Sequence, residues 1–370
     1  MKVLVLGAAG RSGRALMPGL LALSGLDRVF LADYNAEGLG QMAGDPAISI
    51  IGPRFLDAEN ENSLRQRISE VDVVLGCLGP FHRHERRVIE AVIDTGRDYI
   101  SLCDDPEATA YALSLNQQAE ARGVTVLCGC GISPGISNLL ACRVASRFKS
   151  LESLDLAWYL EPGSRLGAGA LDHVIKSMSG SAPYYHHGPA KARPGSWEEY
   201  VEFPPPVGRQ AVSFLGHPEP VTLPGVLTEA PEIRFKGGVG GRSTSLGLQT
   251  LAWMGGDEQS ALLSMMLRTA AGRFARNESA ACLSAIRVTA IGRENGREEK
   301  KILGLSGDYY HISALMMLTA IEQWRSGRLP AGVHTPEQVL DERGVFSRLR
   351  AYGLRFLAAE SNTTVSSRLI

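Results

Sequence analysis

The chain has 370 residues, of which 44% are hydrophobic and 21% are charged, and its formal net charge is −1. Its length exceeds one ordinary domain, and its composition is typical of a globular protein with sizeable cores. The near-neutral charge argues against a nucleic-acid or membrane partner. No apolar run reaches the length of about 18 residues that a membrane span needs. The six cysteines include no CxxC pair, so we expect reduced thiols in a cytoplasmic protein.

A glycine-rich turn comes first along the chain. The apolar run Val3 to Leu6 leads into three glycines spaced three apart, and a helical pattern follows them. Strand, glycine turn and helix in this order can hold a dinucleotide pyrophosphate, because glycines allow close approach and a helix start presents free N–H groups. The spacing differs from the stricter GxGxxG form, so the alternative is a buried strand and turn without a ligand. The predicted phosphate-binding residues are Gly7, Ala9, Gly10, Arg11, Ser12 and Gly13.

A second apolar run, Val29 to Ala32, ends in Asp33, which lies 20 positions beyond Gly13. A carboxylate at this distance accepts hydrogen bonds from the ribose hydroxyls and repels a 2′-phosphate. Tyr34 follows at a position where an NADP-selective site usually supplies arginine. The sequence therefore favours NAD, while Arg11 in the turn could reach a phosphate and keeps NADP open.

Strand and helix patterns alternate over about the first 130 residues, which predicts a Rossmann-type, doubly wound parallel sheet. Ligands bind beyond the carboxyl ends of the strands in such a sheet. Besides the glycine turn, the cofactor-binding residues predicted at that edge are Asp33, Tyr34, Asp57, Cys77, Leu78, Gly79, Pro80, Gly131, Pro134 and Gly135.

The pattern changes after Gly135. Strands are predicted at Leu154 to Leu160 and Ala230 to Phe235, and a helix at Gln259 to Phe274. Two further strands meet across Asn295-Gly296, a strong hairpin signal. These elements predict a C-terminal α+β domain with an open, mainly antiparallel sheet. We therefore expect a dinucleotide-binding domain at 1–134 and a substrate and dimerisation domain at 135–330, in a homodimer.

Proton-transfer candidates lie beside the predicted nicotinamide position. Asp104 and Asp105 follow the fifth strand, although Asp105 before Pro106 also fits a helix N-cap, and a purely structural role for the pair stays open. His82 follows the Gly79-Pro80 turn and is a third catalytic candidate. Beside them, Cys103 is expected to be an inert buried thiol.

Other polar residues in the second half have two interpretations each. His217 and Glu219 form either a wall of the substrate site or a structural turn. Arg242 and Ser243 either bind an acid group or belong to a flexible loop. His186 and His187 are adjacent, so their side chains diverge along an extended chain, and no metal site is predicted.

Several motifs share one order along the chain: the glycine turn, Gly79-Pro80-Phe81, Asp98-Tyr99, Gly131-Ile-Ser-Pro-Gly-Ile-Ser-Asn138, Gly216-His-Pro-Glu-Pro-Val-Thr-Leu-Pro224 and Gly332-Val-His-Thr-Pro-Glu-Gln-Val-Leu340. Together they resemble saccharopine dehydrogenase-like proteins, a family that includes saccharopine reductases, lysine 6-dehydrogenases and carboxynorspermidine dehydrogenases. The resemblance implies an NAD(P)-dependent oxidoreductase acting on the C–N bond of an amino acid, imine or polyamine-like substrate, by reductive condensation or oxidative deamination. It also implies C-terminal helices, at 331–370, that pack back on the first domain. The alternative is a non-catalytic dinucleotide-binding regulatory or scaffold protein.

Overall fold

The protein is described by a computed structural model, which covers residues 1–43, 51–161, 166–227, 232–240, 281–294, 297–354 and 356–360, with residues 245, 247 and 250. It divides into two compact units: the first is Met1–Gly131 with Tyr310–Val345, and the second is Ile132–Tyr309 with Phe346–Ile370. The helix predicted at Gln259 to Phe274, and Arg242 and Ser243, lie outside the described residues.

Strands and helices alternate in the first unit, as the sequence predicts. The elements are β1 (Lys2–Leu6), α1 (Arg11–Leu21), β2 (Arg28–Asp33), α2 (Ala36–Ala43), β3 (Ile51–Phe55), α3 (Glu61–Ser69), β4 (Val73–Gly76), α4 (Phe81–Thr95), β5 (Asp98–Ser101), α5 (Pro106–Ser114), α6 (Asn116–Arg122) and β6 (Thr125–Leu127). The sequence pattern predicts one helix from Pro106 to about Arg122, but this prediction is wrong, because the backbone leaves the helical region at Leu115 (φ −90°, ψ 6°) and divides the segment into α5 and α6.

The strands of the first unit pair in parallel, in the order β6-β5-β4-β1-β2-β3. This is the strand order of a dinucleotide-binding Rossmann fold, and the order reverses between β1 and β4. Val3 to Leu6 are all buried, as expected for a parallel strand covered by helices on both faces. The predicted binding edge therefore lies at the carboxyl ends of β1 and β4.

The second unit contains a mixed sheet that is mainly antiparallel, as predicted. Its first elements are α7 (Ile136–Ala145), β7 (Ser150–Leu160), α8 (Ala168–Ser177), β8 (Ala182–His186), β9 (Pro189–Ala192), β10 (Glu199–Phe203), β11 (Gly208–Phe214), α9 (Glu219–Thr222), β12 (Glu232–Val239), β13 (Leu283–Glu294) and β14 (Arg297–Asp308). β12 pairs in parallel with β7, whereas β13 pairs antiparallel with both β7 and β14. Among the described residues, the strand predicted at Ala230 to Phe235 is found at Glu232–Val239, where it pairs with Ser153 to Leu160 of β7.

The last part of the chain contributes to both units. Its elements are α10 (Tyr309–Arg325), β15 (Gly332–His334), α11 (Pro336–Val339), α12 (Glu342–Ala351) and β16 (Phe356–Glu360). β15 pairs in parallel with β6 and becomes the seventh strand of the first sheet, and β16 pairs antiparallel with β14 in the second. The segment after residue 331, for which C-terminal helices were expected, thus contains the helices α11 and α12 together with these two strands. Among the described residues, no helix is long and apolar enough to cross a bilayer.

Candidate functional site

The glycine turn after β1 packs directly against the end of β4. Gly7 has φ +74°, and its N–H donates to the carbonyl of Ala32 at 2.9 Å. A Cβ at Gly7 would lie 2.5 Å from the carbonyl oxygen of Cys77, far closer than any van der Waals contact. Only glycine allows β1 to turn this tightly beside the neighbouring strand.

The second half of the turn forms the start of α1. Gly10 is the N-cap, and a Cβ there would lie 3.1 Å from the Gly7 oxygen. A Cβ at Gly13, in the first helical turn, would lie 2.5 Å from the Ala8 oxygen. The three glycines thus form a narrow backbone cradle, and the N–H groups of the first turn of α1 point into it because they have no intrahelical partner. This cradle fits a dinucleotide pyrophosphate.

Asp33 ends β2 beside this cradle and is 7% exposed. Its Oδ2 accepts the N–H of Ala9 at 2.9 Å, and its Oδ1 accepts the N–H of Asn35 at 3.0 Å. Two carboxylate oxygens have about four acceptor sites, so lone pairs remain for ribose hydroxyls. The side chain is held in place by the turn that would hold the phosphates. Tyr34, in contrast, is 70% exposed.

Two arginines flank the glycine turn, and the sequence singled out one of them. The guanidinium of Arg11 lies 5.2 Å from the ring centroid of Tyr310. Arg14, one helical turn later, donates from Nε to the Ala9 carbonyl at 2.9 Å and from Nη2 to the Gly38 carbonyl at 3.3 Å. Arg14 therefore ties the turn to α2. Its place on an amphipathic helix gave no sequence signal for this role.

The segment after β4 faces the same edge of the sheet. The N–H of Cys77 donates to the Leu6 carbonyl at 3.0 Å, and burial raises the pKa of the Cys77 thiol to about 12, so the thiol stays neutral. Leu78 is half-buried, and the Gly79–Pro80 peptide is cis, with Pro80 as the N-cap of α4. His82 is the second residue of that helix and is half-buried.

The acidic candidates differ in their surroundings. Asp57 is exposed, and its Oδ1 accepts the N–H of Glu59 at 2.9 Å, so it shapes a turn. Asp105 is 2% exposed and caps α5 by accepting the N–H of Ala108 at 2.8 Å. Asp104, beside it, is 6% exposed. Asp105 thus has the structural role that the sequence left open, and a catalytic role for Asp104 stays a prediction.

The remaining cofactor-binding candidates, Gly131, Pro134 and Gly135, lie on either side of the point in the chain where the first unit ends and the second begins. Gly131 is the last residue of the N-terminal segment of the first unit, whereas Pro134 and Gly135 belong to the second unit. Both precede α7, whose N-cap is Gly135 with φ 117°. A contact of these residues with a cofactor stays a prediction.

A buried carboxylic acid that the sequence did not single out lies under this edge. Glu85, on α4, is 1% exposed, and its Oε2 accepts the hydroxyl of Tyr99 at 2.9 Å. Burial raises the pKa of Glu85 to about 7. Glutamate in a helix is ordinarily exposed, but Glu85 precedes Val88 and Ile89 by three and four positions and so lies on the buried face of α4.

The adjacent residues His186 and His187 are exposed and belong to the second unit. The rings of His186 and His187 lie edge to face at 4.9 Å, and Nδ1 of His186 lies 3.7 Å from Glu232 on the surface. Within the described ranges, no three His, Cys, Asp or Glu side chains lie close enough together to hold a metal ion.

His217 and Glu219 form a buried pair in the second unit, with His217 Nδ1 2.5 Å from Glu219 Oε2. The hydroxyls of Ser133 and Ser137 donate to the other carboxylate oxygen, Oε1, at 2.5 and 2.7 Å. Together these four residues join two of the sequence motifs that carried the family resemblance.

Comparison with known proteins agrees with this geometry. Residues 3–127 match the family model of the saccharopine dehydrogenase NADP binding domain. The predicted resemblance to saccharopine dehydrogenase-like proteins is confirmed. The matched segment covers the glycine turn, Asp33 and all six N-terminal strands, so a nicotinamide dinucleotide is the cofactor class that the site supports.

Curated relatives match over about a third of this chain. A probable mitochondrial saccharopine dehydrogenase-like oxidoreductase of Arabidopsis thaliana is 27% identical over 141 residues, 35% of this chain and 31% of the relative. The trans-acting enoyl reductase of Mycobacterium leprae is 26% identical over 145 residues, 37% of this chain and 34% of the relative. The match therefore spans about a third of the length of these relatives.

The saccharopine dehydrogenase-like fold extends over nearly the whole chain. Apo saccharopine dehydrogenase (L-Glu forming) from Saccharomyces cerevisiae is similar with a TM-score of 0.66, at 14% sequence identity, over 97% of this chain and 99% of that chain. At this identity the likeness shows the fold, including the mixed sheet of the second unit.

Proposed function

We propose that the protein is an NAD(P)-dependent oxidoreductase that acts on the C–N bond of an amino acid, imine or polyamine-like substrate. The observation that carries the proposal is the glycine cradle at the point where the strand order reverses, with Asp33 bonded to it. The motifs shared with saccharopine dehydrogenase-like proteins support the C–N bond as the reacting group. The reaction is reductive condensation or oxidative deamination.

Each part of the cradle has a task in this proposal. The first-turn N–H groups of α1 bind the pyrophosphate, and the Asp33 carboxylate accepts hydrogen bonds from the adenosine ribose. The dinucleotide supplies or accepts the hydride when bound. The residues that follow β4, Cys77 to Pro80, line the same edge of the sheet and orient the nicotinamide half.

A second candidate function is reduction of a carbon–carbon double bond. It is favoured by the Mycobacterium leprae relative, whose name describes an enoyl reductase. Both candidates need the same cofactor site, so only the substrate separates them. The non-catalytic alternative, a dinucleotide-binding regulatory or scaffold protein, predicts cofactor binding without turnover.

The test is cofactor consumption with a substrate panel. The purified protein is mixed with NADH or NADPH and either pairs of amines and keto acids or an enoyl thioester, or with NAD or NADP and single amines. The absorbance of the reduced cofactor is followed in each arm. We expect turnover in the amine arms. Turnover confined to an enoyl thioester arm favours the second candidate, and bound cofactor without turnover in any arm favours the non-catalytic protein.

NAD is the proposed cofactor, because the carboxylate of Asp33 would face the 2′-phosphate of NADP. Asp33→Ser is expected to weaken NAD binding about 10- to 100-fold, since a hydrogen bond to a charged group contributes about 1.5–3 kcal/mol. NADP binding should weaken less or improve. Calorimetric titration of both dinucleotides measures the change.

Asp94→Ser is the matched control for Asp33→Ser. Asp94 is a surface carboxylate of α4 that forms an ion pair with Arg65, far along its helix from the glycine turn. The control should bind both dinucleotides as the unsubstituted protein does. An Asp33→Ser protein with unchanged NAD affinity would contradict the placement of the ribose. The proposal also includes a homodimer, which light scattering after gel filtration measures.

A further inference from the structure

From Tyr310 onward, the helix α10 belongs to the first unit, where it packs beside α1, the helix that follows the glycine turn. The ring of Tyr310 contacts the side chain of Arg11, the first residue of α1. Eight residues further along both helices, a Cβ at Gly19 would overlap Cδ1 of Leu318. Equal steps along the two helices mean that they run side by side in the same direction. Both helices therefore begin at the edge of the sheet where the glycine cradle lies.

The contact between Arg11 and Tyr310 places a cation at the rim of the cradle. The guanidinium carbon of Arg11 lies 5.2 Å from the centroid of the Tyr310 ring, within the range of a cation–π interaction. Tyr310 is 6% exposed, so packing fixes its ring, whereas Arg11 is half-buried and reaches the solvent. A cation–π contact is made through the charge, so the guanidinium can still donate hydrogen bonds to an oxyanion.

The two arginines of the glycine turn have different tasks. Arg11 follows the N-cap Gly10 directly, so its backbone N–H is one of the first-turn groups that point into the cradle. Its side chain starts from the same position. Arg14, in contrast, donates to the carbonyls of Ala9 and Gly38 and supports the backbone of the turn. Arg11 is therefore the arginine whose position suits a bound phosphate.

We propose that Tyr310 is a positioning residue of the cofactor site: its ring holds the guanidinium of Arg11 at the cradle, where that guanidinium binds the pyrophosphate of the dinucleotide. The proposal rests on the proposed function, because it completes the same cofactor site. A long side chain loses rotamer freedom when it binds a ligand, and a ring that already restrains Arg11 lowers this cost. The cofactor site thus includes a residue outside positions 3–127, which match the family model.

The first test compares ligands that share the pyrophosphate. ADP-ribose and NADH both carry it, whereas only NADH carries the nicotinamide. Arg11→Ala is expected to weaken the binding of both about 10- to 100-fold, because charge-assisted hydrogen bonds to a phosphate are lost. Isothermal titration calorimetry with NADPH as a third ligand measures the pattern. A loss confined to NADPH would place Arg11 on the 2′-phosphate, and a loss that spares ADP-ribose would place it on the nicotinamide half; either result would overturn the assignment.

The second test separates positioning from packing. Tyr310→Leu removes the ring and should weaken ADP-ribose binding about 3- to 10-fold, the size of one cation–π contact. Tyr310→Phe keeps the ring and should restore most of the affinity. In the Arg11→Ala background Tyr310→Leu should have no further effect, since the ring has no guanidinium to hold. A residue that only supported the packing of α10 on α1 would weaken binding equally in both backgrounds, and this result would overturn the proposal.

Arg86 and Tyr111 are the matched control pair in the same unit. The guanidinium of Arg86, on α4, lies 4.4 Å from the ring centroid of Tyr111, on α5. Neither residue belongs to the glycine turn. Arg86→Ala and Tyr111→Leu remove the same kinds of side chain and should leave the affinities for ADP-ribose and NADH unchanged.

A series of ring analogues covers the case in which Tyr310→Leu does not fold. Phenylalanine with an increasing number of ring fluorines at position 310 keeps the shape of the ring while it withdraws electron density from its face. The affinity for ADP-ribose should fall with each added fluorine, and an affinity independent of fluorination would overturn the role of Tyr310. If the unsubstituted protein binds neither ADP-ribose nor NADH, the proposed function fails together with this inference. An Arg11→Ala protein that binds both normally overturns this inference alone.

Discussion

Gly13→Ala is expected to lower the affinity for the dinucleotide by about 100-fold or more. The new Cβ would lie 2.5 Å from the Ala8 oxygen, 2.6 Å from the Ala8 Cα and 2.7 Å from the Gly7 oxygen. All three are backbone atoms, so the turn itself must move, and the pyrophosphate depends on the spacing of that turn. Overpacking of this kind also costs about 1–3 kcal/mol of stability. Fluorescence titration with NADH and thermal denaturation measure the two effects.

Gly123→Ala separates the loss of binding from the loss of stability. Gly123 ends α6 with φ +66°, and no atom of the described residues lies within 4 Å of a Cβ built there. Alanine in this left-handed conformation costs roughly 1–2 kcal/mol, similar to the cost at Gly13. Gly123→Ala should therefore unfold at a lower temperature and bind NADH normally. Equal affinities for Gly13→Ala and the unsubstituted protein would mean that the pyrophosphate lies elsewhere.

The site around the glycine turn could be predicted because its parts are close together in sequence. The strand, turn and helix fall within 21 residues, and β2, the next strand after that helix, ends at Asp33. Parallel order then follows from the alternation of strands and helices. The contacts of Asp33 with the turn, however, depend on backbone N–H groups, which carry no sequence signature. The bond from Ala9 to Asp33 was therefore visible only in the structure.

The features that the sequence missed depend on distant partners. β15 has three residues, and it is a strand because it pairs with β6 more than 200 positions earlier. Val333, in its centre, is 3% exposed within the core of the first unit. A segment this short has no measurable periodicity. Ser133 and Glu219 likewise meet across 86 positions, so each motif was recognised alone and their contact was not.

The second unit shows the same contrast between local and distant signals. The pairing of β13 with β14 was predicted from two apolar runs joined by two residues, and the register Glu294 to Arg297 follows directly from that loop length. β8 to β11, in contrast, lie in a stretch rich in proline, glycine and aromatic residues. Such composition suppresses strand signals, and these strands are held by neighbours in the sheet.

The free energy of unfolding is expected to fall by about 3 kcal/mol between pH 4.5 and 7. Glu85→Gln is expected to remove this pH dependence. Burial raises the pKa of Glu85 from 4.5 to about 7, so the folded protein keeps a proton that the unfolded chain has already lost. Between these two pH values the free energy of unfolding falls as pH rises, by about 1.4 kcal/mol per pH unit, and it levels off above pH 7. Glutamine carries no charge, so its contribution is flat over this range.

The groups that face Glu85 do not produce this slope themselves. The hydroxyls of Tyr99 and Ser101 lower the pKa of Glu85 and the charge of Asp105 raises it, while burial raises the pKa of the Cys103 thiol far enough to keep it neutral. The slope between pH 4.5 and 7 is therefore assigned to Glu85, whose pKa burial raises to about 7.

The full chain is unfolded in urea at several pH values. Hydrogen exchange of the β4 and α4 amides serves as the readout, so that the effect is measured in the first unit. The difference in unfolding free energy between Glu85→Gln and the unsubstituted protein should grow by about 3 kcal/mol from pH 4.5 to 7. Glu90→Gln is the matched control, since Glu90 is an exposed residue of the same helix that also accepts a tyrosine hydroxyl, that of Tyr111. Parallel curves for Glu85→Gln and the unsubstituted protein would mean that Glu85 is ionised in the folded state and that water or a ligand reaches it beneath the binding edge.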